Sequence, residues 1–129
     1  MSADAAGDLA KLIDRVIAKR LSELAVAQPC KVISFDESTG IAVVLPLIQL
    51  DDKPPAPIQT VPVLGHKYKT DSGAIKRERH FLEPGDTVYI VCADRQIKAA
   101  AKGEAGKPSS SRSHDKNDAV IVGVFPCSL

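Results

Sequence analysis

Between Asp8 and Ala27 the apolar residues Leu9, Leu12, Ile13, Val16, Ile17, Leu21 and Leu24 recur at steps of three and four, with Lys11, Asp14, Lys19, Arg20 and Glu23 between them. That spacing gathers one apolar stripe and predicts an amphipathic helix. A helix of about twenty residues reaches ~30 Å, so it either lies along its own domain or projects to a neighbour. Pro29 is expected to end it, which makes residues 1–28 a helical segment and residues 29–129 a separate folded unit.

Past Pro29 the pattern changes to period two and to runs of β-branched residues. Cys30 to Phe35 reads as a first strand, Asp36 to Gly40 as a hairpin loop and Ile41 to Leu50 as a second strand. The prolines of Asp51 to Pro57 mark a loop. Ile58 to Leu64 reads as a third strand, with Pro62 suited to an edge or a strand end. Gly65 to His80 is polar and basic, and reads as a loop. The stretch Phe81 to Asp86 holds Pro84-Gly85, the pair that a type II turn takes at its two central positions, with Asp86 leading out. Thr87 to Cys92 is expected as a fourth strand, Asp94 to Lys102 as a short helix capped by Asp94, and Ala119 to Phe125 as a fifth strand. Between the last two, residues 102–117 are expected to form a mobile loop, because Gly, Lys, Pro and Ser are too polar to pack. Five short strands, a long polar insertion and one outlying helix point to a mainly β protein. The expectation is a small five-stranded antiparallel barrel of the OB type with an N-terminal amphipathic helix.

At 129 residues the chain fits one domain able to bury a modest core. Seventeen Lys and Arg against 16 Asp and Glu give no global attraction for nucleic acid or an anionic membrane, so any basic surface must be local. The longest apolar run, Ile41 to Leu50, is broken by Pro46 and Gln49 and falls far short of the ~20 residues of a membrane helix. The N-terminus lacks the basic and apolar regions of a secretory signal. Cys30, Cys92 and Cys127 are odd in number and widely spaced, and read as free buried thiols in a reducing cytoplasm.

Candidate chemistry is sparse. The stretch "SRSHDKNDA" offers His114 as a general base or metal ligand, but no second histidine or cysteine stands at ligand spacing. Asp115, Asn117 and Asp118 are better suited to shaping the entry to the last strand through local backbone hydrogen bonds, so His114, Asp115 and Asp118 are read as structural turn residues, as are Pro84, Gly85 and Asp86. The segment "HKYKTDSGAIKRERH" carries Lys67, Lys69, Lys76, Arg77 and Arg79 beside His66 and His80. It reads as a solvated loop available for partner contact, with phosphate binding as the sharper reading. Single-strand nucleic-acid binders on barrels use aromatic platforms, and this chain has three Phe, two Tyr and no Trp. None of the common nucleophile, zinc-protease, P-loop or dinucleotide motifs occurs. Cys92 sits in an apolar strand where an inert thiol is expected. The chain is therefore read as non-enzymatic, with no catalytic residue, no metal ligand, no cofactor and no small-molecule substrate.

Taken in order, "PCKVISFDESTGIAVVLPLI", "VPVL", "FLEPGDTVYIVCADRQI" and "SHDKNDAVIVGVF" resemble the N-terminal OB domain of phage central-spike proteins, the trimeric membrane-piercing tips of contractile-tail baseplates. The shared features run from about Pro29 to Phe125. They are a Pro before the first strand, a V-P-V strand, a G-D turn into an apolar strand ending in D-R, and R-x-H-D-x-x-D-A leading the last strand. The resemblance implies a virion structural protein, a homotrimer on the tail axis at the distal end of the tail tube, assembled in the host cytoplasm and contacting a baseplate hub. In that family a β-helical spike with a metal-bearing tip follows, whereas here Leu129 is reached with no repeated strands and no His-x-His. The expectation is then a separate spike-tip protein, or a blunt trimer acting as hub plug or adaptor, with membrane contact only indirect during infection. The Leu9 to Leu24 stripe is expected between protomers or against the hub. The alternative, from a different class, is an OB-fold single-stranded nucleic-acid-binding protein.

Overall fold

The structure, a computed structural model, describes residues 4–129. Its first element is α1, Ala5–Glu23. Asp4 caps it by accepting the Gly7 N–H at 3.0 Å, and Asp8 in the first turn and Arg20 in the last complement the helix dipole. The helix thus starts before Asp8 and ends before Ala27, and Pro29 does not end it. It ends because the next residues are taken up by the sheet. Leu24 is extended, the Ala25 N–H donates to the His114 carbonyl at 2.9 Å, and the Val26 carbonyl accepts from the Cys92 N–H at 2.8 Å.

Seven strands follow: β1 Ala27–Asp36, β2 Ile41–Pro46, β3 Ile58–Pro62, β4 His66–Lys69, β5 Ile75–Glu78, β6 Thr87–Cys92 and β7 Ala119–Val124. Five form one antiparallel sheet in the order β3-β2-β1-β6-β7. Long β1 makes this possible by serving two partners. Cys30 to Asp36 pair with β2, and Ala27 to Lys31 pair with β6, where Pro29 lies opposite Tyr89. The register shift between Val32 and Ser34 bends β1 as a bulge does. The sheet curls into a half-barrel, and its edges approach at a parallel bridge between Val63 and Ile121, where the Leu64 N–H donates to the Ile121 carbonyl at 3.1 Å.

Alternation fills the concave side. Buried and half-buried residues alternate in β2 and nearly so in β6, which sends Ala42, Val44, Val88, Ile90 and Cys92 inward to meet Cys30, Val32, Ile58, Val61, Leu82, Ala119 and Ile121. Leu82 enters this core from the loop before the Pro84-Gly85 turn. That turn is the expected one: Gly85 has φ +96° and the Asp86 N–H donates to the Glu83 carbonyl at 3.1 Å. Asp86 Oδ2 accepts the Glu83 N–H at 2.9 Å, and the turn extends the β1 ladder through Gly85 N–H to Val32 carbonyl and Val32 N–H to Asp86 carbonyl, both 2.8 Å.

Three expectations are corrected. Residues 65–80 are not a loop: β4 and β5 form a separate antiparallel hairpin, closed by Gly73 at φ +86°. Ile41 to Leu50 is a strand only as far as Pro46. Asp94 to Lys102 is not a helix, and only Ala100–Lys102 forms a 3-10 turn. Asp94 is engaged elsewhere, its carbonyl accepting the His114 N–H at 3.2 Å. Lys116–Asp118, at the end of the polar insertion, is a further 3-10 turn.

Candidate functional site

The apolar stripe is a run of exposed hydrophobic side chains along one helix. No residue of α1 is buried, and the seven stripe residues range from 42% exposed at Leu24 to 62% at Leu21. Leu9, Leu12, Ile13, Val16 and Ile17 lie between these values. Because the helix is capped and periodic but buries none of its residues, it presents a surface of the kind that elsewhere marks a protein contact. The apolar surface continues past its end onto the body, where Val26, Ile48 and Leu50 are exposed around an open cleft.

A second surface is the β4–β5 hairpin. All eight residues of its strands are exposed. Register places Lys67 opposite Arg77 and Lys69 opposite Ile75 on one face, and Tyr68 opposite Lys76 and His66 opposite Glu78 on the other. Two cations directly opposite each other oppose strand pairing. On the other face the Tyr68 hydroxyl donates to Glu78 Oε1 at 3.0 Å, a contact that raises the Tyr68 pKa. A cleft of about 600 Å³ separates the hairpin from the body. His66 and His80, both in its lining, meet edge to face with centroids 5.0 Å apart, and Phe81, packed edge-on to Phe35, is 60% exposed at its wall. Arg77 and Arg79 also line it, so cations and an aromatic ring share one cleft. Lys76 lies on the hairpin outside the cleft lining.

The stretch before the last strand divides its labour. Asp115 does local turn work, its carboxylate accepting the Asn117 N–H at 2.8 Å. Asp118 does not: 2% exposed, it receives Arg112 Nε at 2.7 Å on Oδ2 and Arg112 Nη2 at 2.9 Å on Oδ1, with the Ile97 N–H at 3.2 Å. The guanidinium holds the Asp118 carboxyl below the ordinary carboxylate range. This corrects the reading of Asp118 as a local turn residue; it ties the polar insertion and residue 97 to the root of β7. His114 sits at φ +47°, its Nε2 is 3.3 Å from Asp94 Oδ1, and its Nδ1 is buried without a hydrogen-bond partner. It joins residue 25, just past the end of α1, to residue 94, through its backbone on both sides and its side chain on the second.

Of the thiols, Cys30 and Cys92 are buried and Cys127 is exposed, against the expectation of three buried ones. Burial, reinforced by Cys92, pushes the Cys30 thiol up to about 11, and burial raises Cys92 also. Both are poor nucleophiles for that reason. Among the described residues no three His, Cys, Asp or Glu side chains gather as a metal site would require, and no helix is long and apolar enough to cross a membrane.

The helix stripe and the basic residues were visible in the sequence. The cleft wall at Phe81, the exposed Ile48 and Leu50, and the Arg112–Asp118 pair were not. A comparison with protein-family models finds no match to this chain, and neither does a comparison with curated proteins.

Proposed function

We propose that this chain is a non-enzymatic virion structural protein of a phage or phage-like contractile tail, a homotrimeric OB-fold spike or hub-plug protein of the baseplate, lying on the tail axis. The OB assignment draws support from the strand order β3-β2-β1-β6-β7 with parallel contact between the outer two, which is compatible with a small, partly open barrel of that type. The observation that carries the assembly reading is the uncovered stripe of six residues on α1 together with Leu24, the extended residue that follows it. Seven aliphatic side chains already half exposed contribute about 1 kcal/mol each when covered, enough in sum to offset much of the freedom lost on association. The basic hairpin supplies a contact for an acidic hub surface, with Lys67, Lys69, Lys76, Arg77 and Arg79 as its charges.

Light scattering on the purified chain tests the trimer. A mass roughly three times 13.7 kDa supports it, and a monomer at every concentration opposes it. Charge reversal at Lys76, Arg77 and Arg79 that leaves hub binding unchanged removes the hairpin from the hub contact.

A second reading, single-strand nucleic-acid binding, is favoured by one observation, the exposed Phe81 beside Arg77 and Arg79 in the cleft. Its signature is oligonucleotide affinity that falls steeply with salt and is lost in Phe81→Ala.

A further inference from the structure

We infer that α1 binds copies of itself, as a parallel, in-register helical bundle that places every body at one end. Setting Ile13 at heptad position a puts Ala6 and Arg20 at the other a positions and Leu9, Val16 and Glu23 at d. The apolar face is wider than this seam, because Leu12 falls at g and Ile17 at e. In a parallel bundle a g residue neighbours the e residue five positions on in the next helix. Leu12 and Ile17 stand five apart, so both flanks of the seam are filled by apolar contact between copies.

Polarity settles the direction. The seam is apolar from Ala6 to Val16 and charged at Arg20 and Glu23. An antiparallel partner would set Arg20 and Glu23 against the apolar half and leave them unpaired on desolvation. A parallel partner in register stacks apolar layers on apolar layers and brings the Arg20 layer beside the Glu23 layer of the neighbouring copies. Among the described residues neither makes an ion pair within its own chain, so both are available. A polar seam position of this kind fixes register in helical bundles. A different protein as occupant would need to reproduce the same order of apolar and charged layers, which a second copy carries by construction. Parallel helices also impose cyclic rather than dihedral symmetry on the assembly. The count of three rests on the proposed tail-axis reading; the parallel self-pairing does not.

The test uses the full chain in sedimentation velocity over a range of concentrations, with Ile13→Asp, Arg20→Glu, Glu23→Arg and the double swap of the last two. Far-UV circular dichroism and thermal melting of the body serve as folding controls. Ile13→Asp is expected to raise the half-dissociation concentration by about 100-fold or more, since it places an unpaired charge in the seam. Each single swap is expected to weaken association and the double swap to restore it. In a Cys127→Ser background, Ala6→Cys is expected to cross-link between copies on mild oxidation. Assembly unchanged in Ile13→Asp overturns the inference while the trimer reading stands on contacts of the sheet. A dimer or tetramer that Ile13→Asp dissociates keeps the inference and overturns the count of three. Failure of the double swap to repair the single ones, or of Ala6→Cys to cross-link, overturns the parallel register, and a monomer at every concentration overturns both readings.

Discussion

Arg112 grips Asp118 with two hydrogen bonds, Nε to Oδ2 at 2.7 Å and Nη2 to Oδ1 at 2.9 Å, although only six residues separate them and Asp118 is buried. The pair closes the polar insertion onto the root of β7. Asp118→Ala leaves the guanidinium and the Ile97 N–H without their acceptor and is expected to cost about 3 kcal/mol in a urea melt. Arg112→Ala is expected to destabilise as well, by stranding the buried carboxylate. Equal melts for wild type and Asp118→Ala would show that the pair contributes nothing net.

The same pair sets an acid limit. The Asp118 carboxyl titrates lower in the folded chain than in the unfolded chain, chiefly because of its bonds with Arg112. The unfolded state therefore binds the proton first, and stability is full above the ordinary carboxylate value of about 4 and declines as pH falls through the depressed folded value. Wild type is expected to lose more stability than Asp118→Ala over that interval, measured as urea midpoints at successive pH values.

Thiols give an opposite alkaline limit. Cys30 is raised from 9.0 to about 11, so between these values the folded chain holds a proton that the unfolded chain releases, and stability falls as pH rises. In native protein at neutral pH one thiol, Cys127, is expected to react quickly with an aromatic disulfide reagent, and three after denaturation. More than one fast equivalent would mean that the core opens readily.

Glycine positions separate strain from space. At Gly85 a Cβ would meet nothing within 4 Å, yet φ is +96°, so Gly85→Ala is expected to cost about 1–2 kcal/mol through backbone strain alone. Gly123 in β7 also has open space and no positive φ, and Gly123→Ala is expected to be neutral or to stabilise by about 0.5 kcal/mol. Thermal melts of both variants check the contrast.

Removal of residues 1–23 should leave the body's melting temperature unchanged, because α1 buries none of its residues, while Ile121→Ala should cost about 3 kcal/mol from the core where the sheet edges meet. A large loss on truncation would show that the helix packs on the body after all.

The helix and all five strands of the main sheet were legible because each carries its own period, and Pro84-Gly85 because the turn demands those two residues. The β4–β5 hairpin was not, since both its faces are polar and no alternation marks them; the only local signal was Asp71-Ser72-Gly73 between two four-residue runs. The Asp94 segment misled because its composition suits a helix, while its carbonyl and the Ile97 N–H are claimed by His114 and Asp118 from across the fold. Local pattern cannot announce such partners. Nor could it announce which exposed side chains adjoin, which is why Phe81 and the histidine pair were missed as one cleft.

The hairpin's ends have a consequence for how such a protein can diversify. A Cβ on Gly65 would lie 2.7 Å from the Glu78 carbonyl oxygen, so the chain leaves the body and returns to it at nearly one point, and no strand residue of the excursion is buried in the core. Residues 65–79 are in effect a cassette. Its tip and charges can be exchanged for another hairpin of the same footing, altering what the molecule meets while the half-barrel beneath keeps its shape.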